Sequence, residues 1–320
     1  MRLLIVRLSS MGDVIHALPM AENARGSGAT VGWVVERKFS GLLEGNPNVD
    51  RVFVADTREW RRRPLHPDTR RDVGRLRREI REFAPQFAID VQGLWKSALV
   101  SKAAGSPVIG FARSARREPA SSVLCTIPVV PAAEHVHVVE QNLALLEPTA
   151  VEVRTRAPDA AYLAAIPAPE ADAFLASVPR PFVLVHPGAG RADKAWGEER
   201  FAHLARGLIR ERGIVPIVSW GPGDERRAER LRALLPKRSP MPILGYAGLA
   251  RVIRASALFV AGDTGPLHLA DALGVPTLAL FGPTDPVRNG PYRDRRGVVT
   301  RMHEVSDDTV LARALELLRV

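Results

Sequence analysis

The chain has 320 residues, 46% hydrophobic and 25% charged, and its 45 Lys and Arg against 35 Asp and Glu give a formal charge of +10. That composition excludes wholesale disorder, and a length of about twice the commonest domain size predicts two lobes. The single cysteine, Cys125, excludes an internal disulfide and a cysteine cluster for a metal, and no uncharged apolar stretch reaches the ~18 residues needed to cross a membrane as a helix.

The first apolar run, residues 3–6, is too short for the apolar core of a signal peptide and reads as a buried strand. It leads into Ser9-Ser10-Met11-Gly12-Asp13-Val14-Ile15-His16, which places a carboxylate where a helix starts. Asp13 has two readings there. It is placed to act as a general base on an attacking hydroxyl, and it is also the acidic third residue of a capping box opened by Ser10. Further β-rich runs at 30–35, 51–54 and 87–91 alternate with helical patterns, the signature of parallel βαβ units.

Residues 51–120 hold 16 Lys and Arg against 8 Asp and Glu, so most of the net charge sits in one segment. Val73, Leu76, Ile80 and Phe83 space an apolar stripe at helical intervals, which explains the arginines from 70 to 81 as a solvated helix face. No such stripe accounts for Arg58, Arg61, Arg62 and Arg63 around Trp60. They suit an acidic partner: a phosphorylated glycolipid, an anionic membrane surface or a nucleic acid. No nucleic-acid-binding motif accompanies them, which argues against the last.

Pro148, Pro158, Pro167 and Pro169 break the rhythm, with a short helix expected at 159–166, and divide the chain into lobes at 1–160 and 161–320. Strand runs resume at 182–185, 215–219, 258–261 and 277–281. The expected fold is therefore α/β, two Rossmann-like doubly wound lobes whose strand carboxyl ends face a central cleft. In the second lobe His186-Pro187-Gly188-Ala189-Gly190 follows a strand and precedes Lys194, a cation available to a diphosphate. Asp263-Thr264-Gly265-Pro266-Leu267-His268 joins another strand to a helix, where free amides and the helix dipole make an anion site. His268 reads either as a phosphate donor or as a structural histidine. Asp224 and Glu225 follow a fourth strand, where a carboxylate can accept from ribose hydroxyls. Residues 307–320 form an amphipathic pattern able to pack on either lobe.

Together these motifs, with Asp90-Val91-Gln92-Gly93-Leu94-Trp95-Lys96-Ser97, Asp193-Lys194-Ala195-Trp196 and Gly282-Pro283-Thr284-Asp285-Pro286, resemble the lipopolysaccharide heptosyltransferase family, its first type in particular. The resemblance implies a GT-B fold with an acceptor-binding amino lobe and a donor-binding carboxyl lobe. It implies inverting transfer of L-glycero-D-manno-heptose from ADP-heptose to Kdo of Kdo-lipid A, at the cytoplasmic face of the inner membrane. On the matching positions Asp13 is the base; Lys194, Glu225, Asp263, Thr264, Gly265 and His268 hold the donor; and Arg61, Arg62, Arg63 and Lys96 hold the acceptor. Residues 222–225 and 186–190 depart from the family pattern, so either Asp224 or Glu225 can take the ribose. Without an Asp-x-Asp pair or a His/Cys cluster no metal is expected, and the ADP-sugar is a substrate, so no cofactor is expected either. The alternatives are a relative using another acceptor or nucleotide sugar, and a nucleotide-sugar binding or epimerising protein of the same architecture.

Overall fold

In the computed structural model, which describes residues 1–235 and 241–318, contacts gather the chain into two compact units, Met1–Pro158 and Asp159–Val320. The first is built on six parallel strands, β1 (Arg2–Val6), β2 (Thr30–Glu36), β3 (Arg51–Ala55), β4 (Phe87–Asp90), β5 (Val108–Phe111) and β6 (Ile127–Val129), ordered β3-β2-β1-β4-β5-β6. Leu3, Leu4, Ile5 and Val6 are all buried. A parallel strand covered on both faces reads as such a continuous apolar run. The winding direction reverses between β1 and β4, and that reversal opens a crevice at their carboxyl ends.

Two of these strands carry no clear sequence signal. β5 is four residues long in a stretch rich in Gly and Pro, and β6 contains Pro128. As the edge strand, β6 tolerates a residue that cannot donate to the ladder. The helix Pro67–Phe83 buries Leu76, Ile80 and Phe83, and Phe83 meets Phe53 of the edge strand β3 edge-on at 5.6 Å. Val73 departs from the expected stripe at 41% exposure. The amino half of this helix turns Thr69 inward instead, and its hydroxyl donates to the Arg63 carbonyl at 2.8 Å. The arginine-rich segment before it is itself helical at Thr57–Arg62.

A fully buried ion pair closes the carboxyl side of this sheet. Arg116 donates to Asp90 Oδ2 at 2.8 Å, to the Phe111 carbonyl at 2.6 Å and to Ser121 Oγ at 3.1 Å. Asp90 Oδ1 accepts the Gln92 and Gly93 amides at 3.2 and 3.1 Å. Gly93 takes φ +67°, a backbone that favours glycine, and a Cβ at Gly110 would overlap the Arg116 guanidinium. One side chain thus joins β4, β5 and the 3₁₀ segment Pro119–Leu124, and fixes the loop that follows β4.

The second unit has five parallel strands, β7 (Val183–His186), β8 (Pro216–Val218), β9 (Leu258–Gly262), β10 (Thr277–Leu280) and β11 (Val298–Val299), ordered β11-β10-β9-β7-β8. Its reversal lies between β7 and β9. Val183, Val185, Val260 and Leu280 pack with Phe201 and Leu204 of the helix Glu198–Arg212 and with Val310, Leu311, Ala314 and Leu317. The last four belong to the helix Asp307–Leu317, which packs on the helix Glu198–Arg212 and β10 and so belongs to the second unit. Arg319 and Val320, the end of the expected amphipathic pattern, lie outside the described residues. The expected helix at 159–166 is Ala161–Ala165.

Removing Arg116 leaves Asp90 as an uncompensated buried charge, a change that costs about 3–5 kcal/mol. Arg116→Leu should therefore lower the urea midpoint of the first unit sharply, and adding Asp90→Asn should restore part of the loss. An Arg116→Leu protein as stable as wild type would remove the pair from its organising role.

Candidate functional site

In the first unit the crevice is organised by Arg7, the residue after β1. Its guanidinium is buried, donates through one terminal nitrogen to the Val91 carbonyl at 2.6 Å, and pairs through the other with Asp13 Oδ1. The second oxygen of Asp13 accepts the Ser10 amide at 2.9 Å and the Ser10 hydroxyl at 2.8 Å. Asp13 is thus the capping-box partner of Ser10 on the helix Met11–Ile15, and it keeps 36% of its side chain exposed. Burial works against its charge, but the Arg7 guanidinium and the bonds from Ser10 outweigh it and hold the Asp13 carboxyl below its ordinary range. Asp13 thus caps the helix and is an ionised carboxylate with part of its side chain exposed.

Around it, Ser9 Oγ receives Gln92 Nε2 at 3.2 Å and Lys96 Nζ at 3.3 Å. Lys96 also lies 3.6 Å from Glu36 Oε1 at the end of β2, and Gln92 Oε1 accepts the Leu8 amide at 3.0 Å. Glu36 in turn accepts from the Thr57 amide at 3.2 Å and from its hydroxyl, at the start of the arginine-rich helix. Arg61, Arg62 and Arg63 lie exposed there, with Arg62 and Arg63 turned to Glu59 at 3.2 and 3.6 Å. Arg7, Gln92 and Glu36 are the site residues that sequence reasoning missed. A signal existed for the first, since a cation closing a buried strand demands a carboxylate partner.

In the second unit the crevice lies between the ends of β7 and β9, where His186 is in register with Ala261. His186 Nδ1 lies 3.1 Å from Ser219 Oγ and Nε2 lies 3.7 Å from Asp224 Oδ2. Burial pushes its pKa down to about 4 against the bond from Ser219, so the ring is neutral near pH 7. A Cβ at Gly188 would collide with both Asp224 and His186, which is why that loop carries glycine.

Lys194, ending the 3₁₀ turn Ala192–Lys194, donates to Asp263 Oδ2 at 2.6 Å. His268 Nε2 lies 3.3 Å from the other oxygen of Asp263. Burial opposes the charge of Asp263, but His268 and Lys194 overcome it and hold the carboxyl far below its ordinary range. Gly262 lets this arrangement close up, since a Cβ there would sit 3.0 Å from the Lys194 carbonyl. Thr264 stands at the N-cap position of the eight-residue helix Gly265–Ala272, and its hydroxyl turns back to donate to the Gly262 carbonyl at 3.2 Å. Lys194, Asp263, Thr264, Gly265 and His268 are thus brought to one strand end. Asp224 faces the buried His186. Glu225 is exposed and accepts the Gly223 amide at 2.9 and 3.0 Å, bonds that lower its pKa. The two carboxylates therefore point to different neighbours. Among the described residues no group of three or more His, Cys, Asp and Glu side chains has metal-ligand geometry.

Residues 73–315 match the profile of Glycosyltransferase family 9 (heptosyltransferase). The chain is similar to the lipopolysaccharide heptosyltransferase 1 of Pseudomonas aeruginosa, 36% identical over 301 residues covering 91% of this chain and 81% of that one. It is similar to the enzyme of the same name from Escherichia coli K12, 33% identical over 300 residues and 91% of each chain. Among solved structures it resembles E. coli heptosyltransferase WaaC with ADP at a TM-score of 0.83 and 28% identity, covering 99% of this chain and 100% of the other. Its two doubly wound lobes are thus of the GT-B class.

Because Arg7 is the chief counterweight to burial at Asp13, Arg7→Met should move the Asp13 titration upward when its Cγ resonance is followed by carbon NMR. In wild type the carboxyl should titrate below about 3.9, the ordinary aspartate value. A depressed folded-state pKa stabilises the fold above that value and ceases to do so as pH falls through the folded pKa. An unshifted Asp13 titration in Arg7→Met would show that the pair does not set its charge.

Proposed function

The chain belongs to glycosyltransferase family 9, the heptosyltransferases, and on that premise we propose that it moves L-glycero-D-manno-heptose from ADP-heptose to a Kdo residue of Kdo-lipid A, with inversion at the anomeric carbon. Supporting this reading is its likeness to lipopolysaccharide heptosyltransferase 1 over 91% of the chain. The geometric observation that carries the mechanism is the ion-paired, partly exposed Asp13 just after the carboxyl end of β1.

Inversion takes a single displacement. A Kdo hydroxyl oxygen forms a bond to the anomeric carbon, the bond from that carbon to the diphosphate oxygen breaks, and its electron pair leaves with ADP. The hydroxyl proton goes to Asp13. A carboxylate held by Arg7 is a weak base, which suits a transfer in which the hydroxyl turns acidic only as it bonds to an oxocarbenium-like carbon. Lys194 and the amides opening the helix at Thr264 and Gly265 take up the charge that develops on the departing diphosphate. On binding, the diphosphate draws Lys194 away from Asp263, leaving that carboxylate for the donor sugar's hydroxyls, while His268 donates to phosphate and Glu225 accepts from the ribose. Lys96, with Arg61, Arg62 and Arg63, meets the carboxylate and phosphates of the acceptor, for which arginine forks are well shaped.

On this reading residues 1–160 form the acceptor lobe and 161–320 the donor lobe, the protein works in the cytoplasm, and it meets its lipid-borne acceptor peripherally at an anionic inner-membrane surface. No helix among the described residues is long and apolar enough to cross a membrane.

Asp13→Asn tests the assignment. Asparagine is itself a good cap, so a purely structural Asp13 would leave turnover near wild type. As the base, Asp13→Asn should lower kcat by roughly 10²- to 10⁴-fold while ADP binds with unchanged affinity in calorimetry. A folded variant with near-wild-type kcat, measured where chemistry limits turnover, would move the base elsewhere.

A further inference from the structure

The helix Trp95–Ala103 carries apolar side chains on its outer face as well as its inner one. It buries Ser97, Ala98, Val100 and Ser101 and exposes Trp95 at 43% and Leu99 at 58%. Those two are one turn apart on one face, and Lys102 continues it three residues later. The 3₁₀ segment Pro119–Leu124 packs against this helix and holds Val123 at 72% exposure. A surface helix that buries one apolar side and still turns Trp and Leu outward has a second apolar medium to meet.

Charge names the medium. Residues 91–133 contain five Lys and Arg, namely Lys96, Lys102, Arg113, Arg116 and Arg117, against one carboxylate, Glu118. Arg116 is spent on Asp90, and Glu118 accepts the Trp95 amide at 2.6 Å. Lys102, Arg113 and Arg117 remain at the surface. Exposed Trp and Leu with long cations alongside are the make-up of a face that settles at the level of lipid headgroups, the indole at the interface and the cations against anionic phosphates. The longer arginine-rich helix Pro67–Phe83 fits this role less well. Its arginines alternate with Asp68, Asp72, Glu79 and Glu82, and Arg71, Arg75 and Arg78 are paired with them.

We propose that the face made by Trp95, Leu99 and Lys102 with Val123 docks the first unit on an anionic phospholipid bilayer. The inference rests on the reading of a lipid-borne acceptor, because the same helix carries Lys96 at its amino end, bonded to Ser9 beside Asp13. Docking through this face holds the acceptor site at the headgroup layer, where the sugar of a membrane-anchored substrate lies.

The test is flotation of the full-length protein with vesicles of phosphatidylcholine, alone or mixed with phosphatidylglycerol, and with no glycolipid present. Wild type should float with the anionic vesicles, and less so as salt rises. Leu99→Ser with Val123→Ser should partition about tenfold more weakly, as expected for two apolar side chains withheld from an apolar phase. The same variant should keep the wild-type circular dichroism and the wild-type kcat/KM on a water-soluble, acyl-free Kdo acceptor. Wild type that does not float, a double variant that floats like wild type, or flotation abolished by Arg77→Glu with Arg78→Glu and Arg81→Glu but not by the double variant would each overturn the proposal. Flotation reads docking alone, so wild type that floats yet fails to transfer to the soluble acceptor would count against the transferase reading and leave this one standing.

Discussion

The guanidinium of Arg7 ends β1 inside the first unit, and a charge placed there must be neutralised. Asp13 neutralises it, and much else follows from that pairing. The loop from Ser9 to Asp13 is drawn over the strand end, Val91 after β4 is tied to it through a carbonyl, and Ser9 is left where Gln92 and Lys96 reach its hydroxyl. On the proposed reading the same pairing sets the chemistry: a carboxylate held in its ionised form is a weak base, which suits a proton lost late, once the hydroxyl has begun to bond to an oxocarbenium-like carbon.

The second unit repeats the device with a different emphasis. Asp263 is also a carboxylate paired with a cation, Lys194, at a point of reversed winding, but only 11% of its side chain is exposed, against 36% for Asp13. Asp263 therefore fixes Lys194 and His268 in place, whereas the side chain of Asp13 is the more exposed of the two. Two doubly wound sheets supply the strand ends. The side chains placed at those ends, rather than the fold, separate a transferase from other proteins of this architecture.

The frame was legible because parallel strands covered by helices appear as largely apolar runs, and eight such runs stood out between residues 3 and 281. β5, β6 and β11 were not legible, being short, interrupted by Pro128, or only two residues long. The loops carrying chemistry announced themselves through glycines and cap residues at strand ends. What no local pattern could reveal was pairing across the chain: Glu36 with Lys96, Arg116 with Asp90, and His186 with Asp224, which explains the glycine at 188. The choice between cap and base at Asp13 could not be made from spacing, since the carboxylate that caps Ser10 is the one Arg7 keeps charged.

The central claim of the proposed function is that the chain transfers heptose by a single displacement in which protein groups alone carry the charge. Incubation of the purified protein with ADP-heptose and Kdo-lipid A in excess EDTA, followed by mass spectrometry and anomeric NMR of the glycolipid, tests it most directly. The account predicts one heptose added to Kdo with inverted configuration, one ADP released per product, and undiminished turnover under chelation. Donor bound or converted without appearing on the lipid, a retained configuration, or turnover restored only by magnesium or manganese would contradict it.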